Sequence, residues 1–132
     1  MNIDHLRALL SGERRKPIIV DHIFDPDLMA VIGDATPKIL LSYETIVKQR
    51  RQNPDIGLEE YYLLPDAIRY GMAAQEDSEQ LIFSYNHHSN RRFLVIVERT
   101  SRGELFVISF HRTTPRQTQS ILAGALVLRK HA

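Results

Sequence analysis

The sequence has no cysteine and no tryptophan, and no apolar run approaches the ~20 residues of a membrane-spanning helix. Without cysteine there is neither a disulfide framework nor a thiolate metal site. The opening residues Met1-Asn2-Ile3-Asp4-His5 lack a basic segment followed by an apolar stretch, so no signal peptide is expected and cytoplasm is the expected compartment. Repeats, low-complexity segments and linkers are absent too, and the 132 residues are expected to form one domain. A chain of that length buries roughly two thirds of its unfolded surface. Acidic residues are scarce in one region only. Residues 86–132 hold 2 of the 16 Asp and Glu but 8 of the 17 Lys and Arg, a balance of +6, whereas residues 1–85 balance at −5. Two readings of this asymmetry stay open: an anionic ligand on the basic side, or a mixed-charge surface that keeps the protein in solution.

What is present is ordinary for a globular chain, with 43% apolar and 25% charged residues. Ile3, Leu6, Leu9 and Leu10 recur at helical spacing between a capping Asn2 and a terminating Gly12. Pro17 to Val20 reads as a short strand. Asp25-Pro26-Asp27 opens a helical turn that ends at Gly33. Ile39-Leu40-Leu41 leads to Ser42, which should cap a helix running to about Gln52, broken by Asn53-Pro54. Leu58 to Leu64 is one or two further helical turns, closed by Pro65.

From about Ile68 the period changes to two, giving candidate strands Ile68–Met72, Gln80–Tyr85, Arg91–Thr100 and Glu104–His111. Asn86-His87-His88-Ser89-Asn90 and Thr100-Ser101-Arg102-Gly103 read as hairpin turns. Thr114-Pro115-Arg116-Gln117 has the form of a capping box, opening a C-terminal helix over 114–131 that packs Ile121, Leu122, Ala125, Leu126 and Leu128. The expected fold is therefore α+β: N-terminal helices, a three- to four-stranded antiparallel sheet, and a C-terminal helix.

Alternation along the strands gives a trial register, with Tyr85 opposite Arg91 and Arg99 opposite Glu104. Leu81, Phe83, Tyr85, Phe93, Val95, Val97, Phe106, Ile108 and Phe110 then form a core face. On the other face Ser84, Arg92 and His111 fall in one row, with Ser109 one step inward. The row ends where Thr113 and Thr114 start the last helix, whose N–H groups favour an anion, with Arg112 and Arg116 beside it. A His, an Arg and hydroxyls in one place suit metal-free phosphodiester cleavage: His shuttles the proton and Arg holds the developing phosphorane charge. The alternative for His111 is a solvated polar residue at a strand end. Glu98 lies about six residues from the His111 level, too far at ~3.3 Å per residue for a shared proton relay, and reads as structural. His87-His88 sits in a tight turn without ligand-spaced companions, so it reads as a nucleic-acid contact rather than a metal pair. Phe24, Tyr61 and Tyr62 read as core or rim, and Lys48, Arg50 and Arg51 as a solvated helix face or a phosphate track.

Leu40-Leu41-Ser42-Tyr43-Glu44-Thr45-Ile46-Val47-Lys48-Gln49, then Asn53-Pro54-Asp55-Ile56, Glu60-Tyr61, Leu64-Pro65 and Glu104-Leu105-Phe106-Val107-Ile108-Ser109-Phe110-His111 follow one another in a familiar order. Over residues 38–113 the chain resembles the phage-associated branch of the barnase–EndoU–colicin–RelE-like nuclease superfamily; residues 1–35 fall outside, as an N-terminal extension. The resemblance implies helices followed by a four-stranded antiparallel sheet that binds RNA on its open face. It implies metal-independent cleavage by a ribose 2′-OH, and no cofactor. Ser42, Thr45 and Lys48 match its helix motif, and Ser109 and His111 its last-strand motif. Glu98 before Arg99 stands where members place a basic residue. The expected function is thus a ribonuclease of phage or mobile-element toxin type. His111, Arg92, Ser109 and Lys48 would be catalytic, and Arg112, Arg91, Ser84, Thr113, Thr114, Arg116, His87 and His88 would contact substrate. The expected partners are RNA, transfer RNA among them, and an inhibitor or immunity protein, with no membrane. The alternatives are a non-catalytic, phage-derived module that binds nucleic acid or protein, and an enzyme acting on a small phosphorylated ligand, which would need a closed pocket.

Overall fold

A computed structural model of the chain describes residues 1–23, 25–33, 35–87 and 91–130. Expectations placed on Phe24 and His88 lie outside those residues. The helices are α1 (Ile3–Ser11), α2 (Pro26–Ile32), α3 (Tyr43–Gln52), α4 (Leu58–Tyr61), α5 (Leu64–Tyr70) and α6 (Pro115–Leu122). The strands are β1 (Ile18–His22), β2 (Lys38–Leu41), β3 (Met72–Asp77), β4 (Gln80–His87), β5 (Arg91–Arg99), β6 (Leu105–Thr113) and β7 (Leu126–Arg129). They form one mixed sheet in the order β1-β2-β6-β5-β4-β3-β7.

This corrects the expected architecture. A four-stranded antiparallel meander, β3 to β6, occupies the middle, but the sheet has seven strands, and β2 runs parallel to β6. Ile68 belongs to α5, and β3 begins only at Met72. The C-terminal helix stops at Leu122. After Ala123-Gly124 the chain becomes β7, which pairs with β3 through Ala73–Arg129, Ala74–Val127 and Gln75–Leu126. An edge on β3 offers unpaired backbone groups, and satisfying them outweighs the weak helical preference around Gly124.

Local chemistry explains the helix starts. Asn2 Oδ1 accepts from His5 N–H at 3.0 Å, and Ser42 Oγ accepts from Thr45 N–H at 3.1 Å. Residues 1–35 are built into the molecule: Leu6 and Leu9 of α1 are fully buried, as is Val20 of β1, in the same core as Phe83, Phe93 and Phe110. The rings of Phe93 and Phe110 stack 5.3 Å apart.

The trial register was displaced. Tyr85 pairs with Phe93 rather than Arg91, a shift of two that preserves which residues share a face. Arg99 pairs with Leu105, a shift of one that reverses the faces there. Leu105 and Val107 are therefore the buried residues, while Phe106 and Ile108 face away from the core and are only half-buried. A bulge at Ile108 restores the expected parity from Ser109 onward, because Ile96 pairs with Ser109 and Val97 with Val107.

β2 pairs with β6 only at Leu105 and Phe106, which leaves the rest of that edge open. α3 closes it. Thr45 Oγ1 donates to Val107 O at 3.1 Å, and Lys48 Nζ donates to Ile108 O. Gln49 donates from Nε2 to Phe110 O and accepts the Phe110 N–H at 3.3 Å. Residues 45, 48 and 49 lie on one helix face, so the stripe stands in for a missing strand. Gln49→Leu keeps the bulk but orphans a buried N–H and a carbonyl, and should cost about 2–4 kcal/mol. Chemical denaturation at constant slope would measure the loss; an unchanged midpoint would mean that the stripe is dispensable.

Candidate outer-face site

Beyond its apolar middle, the meander carries polar residues at the end where β4 turns into β5 and β6 leads to α6. Two faces are polar there. The outer face holds Ser84, Asn86, Arg92, His111 and Thr113, and the inner face holds His87, Arg91 and Arg112.

On the outer face His111 stands opposite Leu94, and Leu94 stands opposite Ser84. Arg92 is not in that row. It pairs with Asn86 and Thr113, one pleat further out, so Arg92 and His111 are diagonal neighbours with backbones about 7–8 Å apart. They line separate hollows. His111 borders one of about 440 Å³ with Asn53, Gln117, Ser120 and Ile121, while Arg92 borders another with Ser84 and Tyr70. Ser84 is buried, and Leu94 separates it from the imidazole.

His111 is half-buried, and its Nδ1 lies 3.2 Å from Ser109 Oγ. Desolvation pulls its pKa below the ordinary 6.5, favouring the neutral ring. With the proton on Nδ1 donated to Ser109, Nε2 is left to act as a base. Glu98 lies four residues along β5 from the His111 level, about 13 Å, and accepts a hydrogen bond from Gln80 Nε2 at 3.3 Å.

Several expected contributors have other duties. Arg112 points to the inner face, where Glu60 grips it twice, Nε to Oε2 at 2.7 Å and Nη2 to Oε1, and Asp55 takes Nη1. Lys48 is exposed and donates to the Ile108 carbonyl. The N-terminus of α6 is closed by its own capping box: Gln117 N–H donates to Thr114 Oγ1, and Thr114 N–H to Gln117 Oε1. Thr113 Oγ1 accepts from Thr118 Oγ1 at 3.3 Å. Arg116 is exposed beside them. Arg91 is exposed on the inner face near Glu59 and Glu60, and His87 faces the Tyr85 ring at 6.0 Å.

Asp55 and Glu60 were not singled out from the sequence. The available signal was parity: Arg112 lies two residues from Phe110 and so shares its face, where its cation can reach the nearly buried carboxylate of Glu60. Among the described residues no three His, Asp or Glu side chains converge as a metal site, and no helix is long and apolar enough to cross a membrane. No known protein family, curated protein or solved structure matches the chain.

The two carboxylates on Arg112 should be unequal. The Glu60 side chain is 9% exposed and that of Asp55 63%. Glu60→Gln is expected to lower stability by about 1–3 kcal/mol and Asp55→Asn by less than about 1 kcal/mol, read from thermal or urea unfolding. Equal costs would show that burial does not set the strength of this cluster.

Proposed function

We propose that the chain is a metal-independent ribonuclease in which His111 carries the proton and Arg92 holds the phosphate. The supporting observation is that a desolvated imidazole and a guanidinium stand on the same sheet face, one pleat apart, at the polar end of a face whose middle is buried. No carboxylate lies within ion-pair distance of Arg92 among the described residues, so its charge is available to a ligand. The inner face offers less, because Asp55, Glu59 and Glu60 surround its cations.

In this chemistry His111 Nε2 takes the proton of a ribose 2′-OH as that oxygen bonds to phosphorus. The bond from phosphorus to the 5′-oxygen breaks, and the leaving oxygen is protonated by the imidazolium or by water. The products are a 2′,3′-cyclic phosphate end and a 5′-hydroxyl end. Arg92 neutralises the non-bridging oxygens as charge builds on them. Ser109 is a positioning residue that holds the imidazole ring through the contact of its hydroxyl with Nδ1.

A second reading, a phage-derived module that binds nucleic acid or protein without cleaving, draws support from the engagement of Arg112 by Glu60 and Asp55 and of Lys48 by the Ile108 carbonyl. An inhibitor or immunity partner belongs to the first reading, since an unguarded ribonuclease harms its host.

Incubation with total RNA or transfer RNA in EDTA separates the readings. The wild type should cut and His111→Ala should be slower by about 10²–10⁴-fold, the usual worth of a positioned acid–base group. Equal inertness of the two proteins, with RNA retained in a binding assay, would select the non-catalytic module. Because burial lowers the His111 pKa, the base form persists into mild acid. The acid limb of the rate profile should therefore fall below pH 6.5, the ordinary value for His. The same shift ties folding to pH. Stability is full above that ordinary value and is lost as the pH falls from it through the lower value in the fold; His111→Gln should flatten the slope across that window. An acid limb at or above 6.5 would contradict the assignment of His111 as base.

A further inference from the structure

The sheet has a notch next to Arg92. β3 begins at Met72, whose partner is Ser84, but β4 continues through Tyr85, Asn86 and His87 with no β3 residue beside them. The chain reaches β3 from α5 through Gly71, which lies so close to β4 that a Cβ there would sit 2.9 Å from Ser84 O. This contact fixes Tyr70, the last residue of α5, at the rim of a hollow of about 300 Å³ whose base is formed by Met72 and Ser84. The volume lies at the small end of ligand pockets.

Three features indicate what fits. Tyr70 is 51% exposed, a large aromatic surface left in water beside a second aromatic, Tyr85. Asn86 is exposed and carries both amide donors and an acceptor at the open end of the β4 edge. Arg92, paired with Asn86, borders this hollow and also shares the outer face with His111. A neutral planar ring with polar edges would meet a stacking surface and an amide there.

We propose that this notch is the nucleobase subsite of the RNA site: Tyr70 stacks on a base whose phosphate lies between Arg92 and His111, and Asn86 reads its edge. Unpaired RNA is the substrate class this implies, because a stacked duplex base cannot enter a notch in a sheet edge. The inference rests on the function proposed above.

Binding separates the two claims. The full chain carrying His111→Ala, kept in EDTA, would be titrated with labelled short single-stranded RNAs of each base and with an abasic chain of the same length. It should prefer base-bearing RNA to the abasic chain by about tenfold, the usual effect of one stacked base. Adding Tyr70→Ala should erase that margin and Tyr70→Phe should keep it, while Asn86→Asp should reorder the preference among the four bases. Melting curves matching the parent would confirm that the variants are folded. Equal affinity for base-bearing and abasic chains, or an unchanged margin in the folded Tyr70→Ala protein, would overturn the subsite and leave the phosphate site standing. Failure of the parent to bind any RNA, with no cleavage by wild type, would instead remove the function proposed above and the subsite with it.

Discussion

The outer edge of β6 depends on side chains rather than on a neighbouring strand. β2 reaches only Leu105 and Phe106, and beyond them Thr45, Lys48 and Gln49 of α3 take the backbone groups of residues 107, 108 and 110. Successive carbonyls of a regular strand point to opposite edges, yet those of Val107 and Ile108 both meet α3. That is the mark of the bulge, and the bulge decides the orientation of everything after it. It allows one strand to bury Leu105 and Val107 at one end and Phe110 at the other, and still present Ser109 and His111 outward. The position of the imidazole thus follows from how a helix satisfies a strand edge.

Charge at that end of the sheet is divided by face. On the inner face the nearly buried carboxylate of Glu60 is held by Arg112, which stays 46% exposed and also meets the exposed Asp55. Outside, Arg92 and Arg116 have no such company among the described residues, and His111 is desolvated by its surroundings rather than by a charge. The basic balance of residues 86–132 is consequently not one uniform patch. Part of it is ion-paired within the fold, and part has no carboxylate partner among the described residues.

How far the fold could be read from the sequence varied with the range of the contact that decides each element. β4, β5 and β6 follow from alternation, and the caps at Asn2, Ser42 and Thr114 from residue type. β7 was misread as helix, since Leu126, Val127 and Leu128 show no period that excludes either form, and only the open edge of β3 selects a strand. The same holds for the parallel β2–β6 pair, which joins segments about sixty residues apart. For the candidate site, the outward placement of Arg92 and His111 survived a displaced register because the net displacement near them is even. Their shared row did not survive. The partners of Arg112 and Lys48 within the fold were not legible, because a free cation and a committed one look alike until their partners are in place.

The sequence by itself determined which residues alternate, where helices begin, and that residues 86–132 carry excess positive charge. These are properties of neighbours in the chain, set by side-chain period, capping chemistry and composition. Tertiary structure alone decided the seven-stranded order, the bulge at Ile108, the capture of Arg112 by Glu60 and Asp55, and the notch beside Arg92. Each of these comes from the demand that backbone groups and buried charges find partners, and the partners lie far away along the chain.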